Sequence, residues 1–483
     1  MVLKKQKTQL FIIPLSTLLF LGCSGGNGTS ATTNTSNRVY TLIEEHNSTG
    51  NPATGKIIPL ISSAKAQLGM KLFFSKALGG DKDAACVTCH HPSLGGGDNL
   101  SLSIGVAADI PELLGNGRTH NSAAVNYDTG YAPVPRNAPS TYNVALWDKA
   151  IFWDGRVANV PGGISTPDSG LGIVDANAGA NLAAAQALFP ITSHEEMRGF
   201  TFEAGSTNAQ VRTHLEFRLN DNLQLDYIAN SWQAEFDSVY GANSVTMNNI
   251  LDAIGEYENS QLFIDTPWKS FVEGNASAIS NQAQRGAILF YSSYQDGGVN
   301  CVACHSGDFF TDENYHVMAI PQVGKGKVAG DDDFGREVID LNTSHRYAFR
   351  TPTLLNTELT GPWGHDGAYT TLEGIVSHML DVDTAIAEYD TTLLDTTVKT
   401  TNYLVNTSKA LNQLNNNKLL GISPHQNVSL SAVQINELVA FLKTLTDACL
   451  KDRSCIGKWI PDNSVTGPDE LRLNAIDASS SLL

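Results

Sequence analysis

The sequence predicts a mainly α-helical protein built as two similar units in tandem, with few short strands and long loops. Three observations predict this. The pentad C-x-x-C-H occurs twice, as Cys86-Val87-Thr88-Cys89-His90 and as Cys301-Val302-Ala303-Cys304-His305. A helix-like apolar pattern precedes each pentad. A capped amphipathic helix then closes the second unit. The 483 residues are 42% hydrophobic and 17% charged, enough for two to three domains and incompatible with wholesale disorder or collagen-like repetition. With 31 basic and 49 acidic residues the net charge is −18, which argues against general nucleic-acid binding.

In chain order, Lys4, Lys5 and Lys7 precede an apolar run from Leu10 to Leu21, too short to span a bilayer. Residues 1–22 are therefore expected to be a signal peptide. Phe20-Leu21-Gly22-Cys23 is similar to a bacterial lipoprotein signal, so Cys23 is expected to carry acyl chains that anchor an exported protein to a membrane. Residues 23–37 are rich in Gly, Ser, Thr and Asn and are expected to form a flexible linker. The first unit is expected over 38–275, the second over 276–450 and a polar tail over 451–483.

Before the first pentad, Leu68, Leu72 and Phe73 share a helical face, and Gly79-Gly80 ends the element. Before the second, Asn281 and Gln284 suit a capping box ahead of Gly286 and Phe290. Thr370 and Glu373 suit another, with Leu372, Ile375, Val376 and Met379 on one face. The last helix is expected from Ser431 to about Thr446, with Ser431 and Gln434 as its box and Ile435, Leu438, Val439, Leu442 and Leu445 as its buried stripe. Short strands are expected only between Pro161 and Ala185.

Each pentad offers two thiols at the spacing of a haem's two vinyl groups and an adjacent histidine for the iron. A zinc site wants four ligands close together, and neither pentad has a second half. The two units are thus expected to be cytochrome c-like haem domains, with Cys86, Cys89 and His90 on one haem and Cys301, Cys304 and His305 on the other. Cys449 and Cys455, six residues apart in an oxidising compartment, could close a disulfide or stay as two thiols.

Further motifs run from Leu68 to Thr446. His91-Pro92-Ser93-Leu94-Gly95-Gly96-Gly97-Asp98-Asn99 follows the first pentad, and Ser103-Ile104-Gly105 comes next. Arg136-Asn137-Ala138-Pro139-Ser140-Thr141 and Phe152-Trp153-Asp154-Gly155-Arg156 follow, and Gln186 lies ten residues before Glu196-Met197. Beyond the second pentad stand Phe310-Thr311-Asp312, Arg350-Thr351-Pro352-Thr353-Leu354 and Gly361-Pro362-Trp363-Gly364-His365-Asp366-Gly367. On these motifs the chain resembles the bacterial di-haem cytochrome c peroxidases and the related di-haem enzyme that matures tryptophan tryptophylquinone.

The resemblance implies that hydrogen peroxide is reduced at the N-terminal haem and that the C-terminal haem, of higher potential, passes electrons in. It makes Glu196 the carboxylate that shuttles the peroxide proton, Gln186 its neighbour in the pocket, and Trp153 the aromatic bridge between haems. Met379, fourteen residues after His365, matches the second ligand of the C-terminal haem iron; His378 and Met318 are weaker candidates. His365 is implied at a haem propionate or in the path between domains. Asn137, Thr360 and Pro362 match positions that hold a calcium ion. Val106 stands where many peroxidases have a histidine that blocks the N-terminal haem, so an open iron is expected; His120 is the remote alternative. His91, His316 and His345 gain no role.

The expected activity is peroxide reduction with electrons from a small periplasmic cytochrome c or copper protein. The alternatives are a di-haem oxidase that acts on an organic or protein substrate through a ferryl intermediate, and a non-enzymatic electron carrier. A homodimer is implied by the relatives.

Overall fold

A computed structural model describes residues 29–121, 130–220, 230–462, 464 and 467–483, with only the backbone described over 29–34. The expected signal segment and Cys23 lie outside the described residues. Among the described residues no helix is long and apolar enough to cross a membrane.

The chain is mainly helical with short strands, and two helix pairs organise it. In the first half, α2 (Ala64–Phe73) crosses α7 (Met247–Asn259); between them lie the pentad turn α3 (Cys86–Cys89), α4 (Leu182–Ala187), α5 (Asn208–Leu219) and α6 (Trp232–Tyr240). In the second half, α9 (Asn281–Tyr291) crosses α14 (Ala432–Lys443); between them lie α10 (Glu337–Asp340), α11 (Leu372–Leu380), α12 (Val382–Ala387) and α13 (Tyr403–Leu419). Both crossings depend on glycine. A Cβ on Gly69 would lie 1.8 Å from Ala253 O, and one on Gly286 would lie 1.9 Å from Glu437 O. The missing side chain lets the two backbones touch.

Each pair encloses its own core. Leu68, Leu72, Phe73, Trp232, Phe236, Ile254 and Tyr257 fill the first. Trp268, Phe290, Tyr291, Leu438 and Phe441 fill the second, with Phe441 in edge contact with Trp268 at 5.0 Å. Strands β1 (Ala150–Ile151), β2 (Val157–Val160) and β3 (Gly163–Ser165) form an antiparallel meander, and β4 (Tyr315–Val317) pairs with β5 (Ala348–Arg350). Strands β1, β2 and the second sheet fall outside the segment where strands were expected, and β3 alone among the described strands lies inside it.

The capping chemistry holds with small shifts. Ser431 caps α14 in a full box with Gln434. Ser280, not Asn281, caps α9, and Thr371, not Thr370, caps α11. In both places two cap-forming residues stand side by side, and the second starts or precedes the helix by one position. After Phe73 a tight turn over Lys76–Leu78 intervenes before Gly79-Gly80, so the first helix ends earlier than expected.

Two boundaries differ from the expected ones. The linker is helical from Thr29: α1 (Thr29–Glu45) docks on α9, burying Val39, Leu42 and Ile43. Tyr40 stacks on Phe271 at 4.8 Å, and Ser36 Oγ donates to Gln284 Oε1 at 2.8 Å. Apolar burial against α9 overrides the polar composition. With α8 (Pro267–Val272), α1 belongs to the second core although both precede residue 276. The tail likewise returns to the first core after α15 (Arg453–Ile456): Leu473 and Ala475 are buried there, and Leu473 N donates to Phe74 O at 2.8 Å. Cys449 and Cys455 close a disulfide, with Cα atoms 5.2 Å apart.

Candidate active site

Each pentad folds as one tight turn at the wall of a chamber. The first chamber holds about 910 Å³ of empty space up to its mouth and is lined by Cys86, Cys89 and His90. The second, about 2080 Å³, is lined by Cys301, Cys304 and His305. None of these four cysteines is in a disulfide. His90 Nδ1 lies 3.1 Å from Gly96 O, and His305 Nδ1 lies 3.1 Å from Phe310 O. A carbonyl only accepts, so Nδ1 carries the proton in both rings and Nε2 is left as the metal-binding lone pair.

The donor sets fit a covalent haem in each chamber. The second chamber also contains buried cationic and polar atoms that lack a partner. Arg350 Nη1 has none, although its Nε donates to Phe152 O at 3.1 Å. Burial lowers this guanidinium to about 10, and it lies 3.4 Å over the Trp147 ring. His365 Nδ1 is also unpartnered, and burial holds the ring near 3, hence neutral. An anionic propionate would satisfy such atoms.

In the first chamber, Glu196 and Gln186 both face the same space as the pentad. Glu196 sits in a π-turn over His194–Arg198. Burial raises its carboxyl above the ordinary glutamate range, Arg156 and Lys327 oppose this, and Glu195 adds to it. Glu195 itself turns away to a half-exposed ion pair with Lys325 at 2.9 Å. The adjacent glutamates therefore have separate environments. Gly105 braces the turn: a Cβ there would lie 2.3 Å from Glu196 O, and Val106 N donates to Glu195 O at 3.3 Å. Val106 is buried in the first core, and His120 pairs through its backbone with Ala108. Among the described residues lining this chamber, His90 is the only histidine.

Trp153, Asn137 and Pro139 line both chambers. Trp153 Nε1 donates to Asn137 O at 2.9 Å. Asn137 Nδ2 is held by Leu100 O and Ser101 O. Next to it, Arg136 pairs with Asp333 at 2.6 and 2.8 Å and with Asp154 at 2.6 Å, all three buried. This pairing holds the guanidinium well above its usual range and the Asp154 carboxyl well below its own.

Met379, His365 and Met318 all line the second chamber. His378 does not. Its Nε2 meets Met318 O at 2.8 Å and its Nδ1 meets Tyr369 Oη at 2.7 Å, so both nitrogens are engaged. Asn137, Thr360 and Pro362 are brought to this same chamber. Among the described residues, the group of three metal-ligating side chains that lies close together is Cys304, Asp312 and His316, and two of these, Cys304 and His316, line the same chamber. There His316 pairs with Asp312 at 2.7 Å. His345 pairs with Asp340 at 2.7 Å, and His91 Nδ1 accepts from Ser93 N at 3.1 Å, capping a turn.

Sequence reasoning missed three residues. Glu258 of α7 lines the first chamber, where burial raises it to about 8. His425 lines the second and donates from Nε2 to Met379 O at 2.9 Å. Arg350 stands within the Arg350-Thr351-Pro352-Thr353-Leu354 motif, which by itself gives the side chain no role. Glu258 and His425 stand in no motif of this sequence, so neither carries a local signal.

Two chambers, each lined by a C-x-x-C-H pentad, offer the donor sets that two c-type haems need. Residues 63–277 match the family model described as di-haem cytochrome c peroxidase. The chain is 26% identical over 330 residues to the methylamine utilization protein MauG of Methylorubrum extorquens, covering 66% of this chain and 69% of that one. It is 27% identical over 316 residues to the cytochrome c551 peroxidase of Nitrosomonas europaea, covering 65% and 72%. The diheme peroxidase BthA from Burkholderia thailandensis shares the fold, with a TM-score of 0.53 at 19% identity over 82% of this chain and 89% of that one. The chain is similar to the di-haem cytochrome c peroxidases, the likeness supports an oxidoreductase of that type, and such proteins are described as carrying two haems.

Proposed function

We propose that the protein reduces hydrogen peroxide to water in the first chamber, with electrons arriving through the second from a small cytochrome c or copper protein outside the cytoplasm. One observation carries this reading. Glu196 faces the same chamber as Cys86, Cys89 and His90, and Trp153 forms the wall shared with the other chamber.

A haem bound at His90 would supply the iron at which peroxide binds and takes up electrons. The chain's own residues do the rest. Ionised Glu196 accepts a proton from the oxygen nearer the metal and returns it to the departing oxygen, so that water leaves. The amide of Gln186 lines the same pocket and can hydrogen-bond the substrate without competing for its proton. Arg156 and Lys327 keep the Glu196 carboxylate available despite its burial. In this reading Met379 would hold the other iron together with His305. It lines that chamber, whereas both nitrogens of His378 are occupied. Met/His ligation raises a haem's potential, which suits the receiving end of the electron path. Asn137, Thr360 and Pro362 belong to the reading as a calcium site between the halves.

The carrier alternative is disfavoured by a titratable carboxyl held beside an open chamber, which electron carriage does not use. The test is low-temperature EPR of the oxidised holoprotein before and after one equivalent of hydrogen peroxide. A high-spin ferric signal that disappears is expected. Two low-spin signals untouched by peroxide would overturn the reading.

A further inference from the structure

Behind the wall of the second chamber lies a row of tyrosines that the reading above does not use. His378 precedes Met379 on α11 and is fully buried. Its Nε2 lies 2.8 Å from Met318 O, an atom that only accepts, so Nε2 carries the ring proton and Nδ1 is a lone pair. Tyr369 Oη lies 2.7 Å from that Nδ1, so the phenol donates to the imidazole. The Tyr369 ring meets the Tyr389 ring edge-on at 5.5 Å, and Tyr389 meets Tyr403 at 5.9 Å. Tyr369 is buried and the other two are half-buried, so the row runs outward. Its inner end is tied to the chamber. Tyr369 exchanges backbone hydrogen bonds with Trp363 at 2.8 and 3.1 Å, and both Trp363 and Met318 line the cavity.

The rings alone could be packing. The phenol–imidazole pair adds a chemical capacity. A one-electron-oxidised phenol is a strong acid, so tyrosine is oxidised readily only when a base takes its proton in the same step. Here the imidazole tautomer is fixed to do so, and the next aromatic ring stands in van der Waals contact.

We propose that Tyr369, Tyr389 and Tyr403 form a hole-transfer chain that carries oxidising equivalents from the second chamber to the surface at α13 when no donor protein is engaged. This rests on the peroxide reading. In the first step Tyr369 loses one electron inward, and its phenolic proton moves to His378 Nδ1. Tyr389, whose phenol donates to Ala368 O at 2.6 Å, then reduces Tyr369, which recovers that proton; the half-buried Tyr389 gives its own phenolic proton to water and takes one back when Tyr403 reduces it. The outermost phenol releases its proton to water. Per peroxide the balance is H2O2 plus two tyrosine phenols giving two waters and two tyrosyl radicals. At the surface these radicals would accept electrons from small phenolic or other one-electron donors, or couple between molecules as dityrosine.

The test uses the oxidised holoprotein with one equivalent of hydrogen peroxide and no donor, freeze-quenched for EPR, with unlabelled and ring-deuterated tyrosine. Dityrosine-linked dimers are assayed in parallel. Wild type is expected to give a radical signal that narrows on deuteration, together with linked dimers. In Y369F both are lost. Y389F and Y403F, changed at half-buried rings, keep the inner radical and lose the dimers. A ferric signal consumed by peroxide with no tyrosine-derived radical, or the same radical in Y369F, overturns the chain. A ferric signal untouched by peroxide overturns the peroxide reading instead, and the chain with it; that outcome is read on the iron and is therefore distinct.

Discussion

Glu196→Gln separates a proton-shuttling carboxylate from an acidic residue that merely lines a cavity. The substitution preserves volume and hydrogen-bonding capacity but removes the atom that accepts a proton. Loss of a positioned general base costs about 100- to 10,000-fold, or roughly 3–5 kcal/mol in the barrier. The neighbouring residue supplies the control. Glu195 is in a half-exposed pair with Lys325 and faces away from the chamber. Glu195→Gln should therefore cost less than about 1 kcal/mol, the range of an exposed ion pair. The assay is stopped-flow absorbance of the oxidised holoprotein against peroxide concentration, giving a second-order rate constant at each pH. Because burial raises the Glu196 pKa and its ionised form is the acceptor, the rate falls as pH drops through that raised value. The acid limb should lie above the ordinary glutamate range. Lys327→Met removes a cation that opposes the shift and should move the limb to higher pH. Glu195→Gln removes a like charge and should move it lower. An E196Q rate constant within about twofold of wild type, or an E195Q loss as large as that of E196Q, would refute the reasoning.

Met379→Ala should lower the midpoint potential of the second haem in a spectroelectrochemical titration; an unchanged potential would pass the ligand role to Met318. Gly69→Ala and Gly286→Ala force a Cβ against Ala253 O and Glu437 O, so each should lose about 1–3 kcal/mol in denaturant unfolding, and an unchanged midpoint would mean the helices can separate without cost. Asp469→Ala orphans the buried Trp232 Nε1, which now donates to it at 2.6 Å, and should cost about 1–3 kcal/mol; wild-type stability would mean that the tail adds nothing to the first core.

The candidate site was more legible than the architecture, for a physical reason. A pentad, or the spacing from Gln186 to Glu196, is local, because one haem edge or one turn needs its residues close in sequence. The α14 cap was legible for the same reason: Ser431 and Gln434 complete their hydrogen bonds within one turn. The tail was not. Leu473 and Ala475 lie among polar residues without helical periodicity, and their partners are nearly 400 positions upstream, at Phe74 and its neighbours. Helix α1 was hidden in the same way, since a polar stretch becomes helix only when α9 offers a surface for Val39, Leu42 and Ile43. Glu258 and His425 reach their chambers from a helix and a loop whose placement depends on those same distant contacts.

The wall between the chambers shows how the two halves cooperate. Phe152 and Gly155 take left-handed conformations, at φ +67° and +64°, on either side of Trp153 and Asp154. For phenylalanine that conformation is strained and persists only when its surroundings hold it. The second half does the holding. Arg350 N donates to Trp153 O at 2.8 Å, and its Nε donates to Phe152 O. Arg336 Nη1 donates to Asp154 O and Gly155 O at 2.9 Å. The absence of a side chain at Gly155 also admits Tyr315, whose Oη would lie 1.7 Å from a Cβ there. The buried Arg136–Asp154–Asp333 cluster completes the clamp. The indole is therefore positioned by residues of both units, and neither half alone contains the contacts that set its orientation. If Trp153 is the bridge of the proposed function, it keeps this geometry only while the halves are docked, so destabilising their interface should also slow electron delivery to the first chamber.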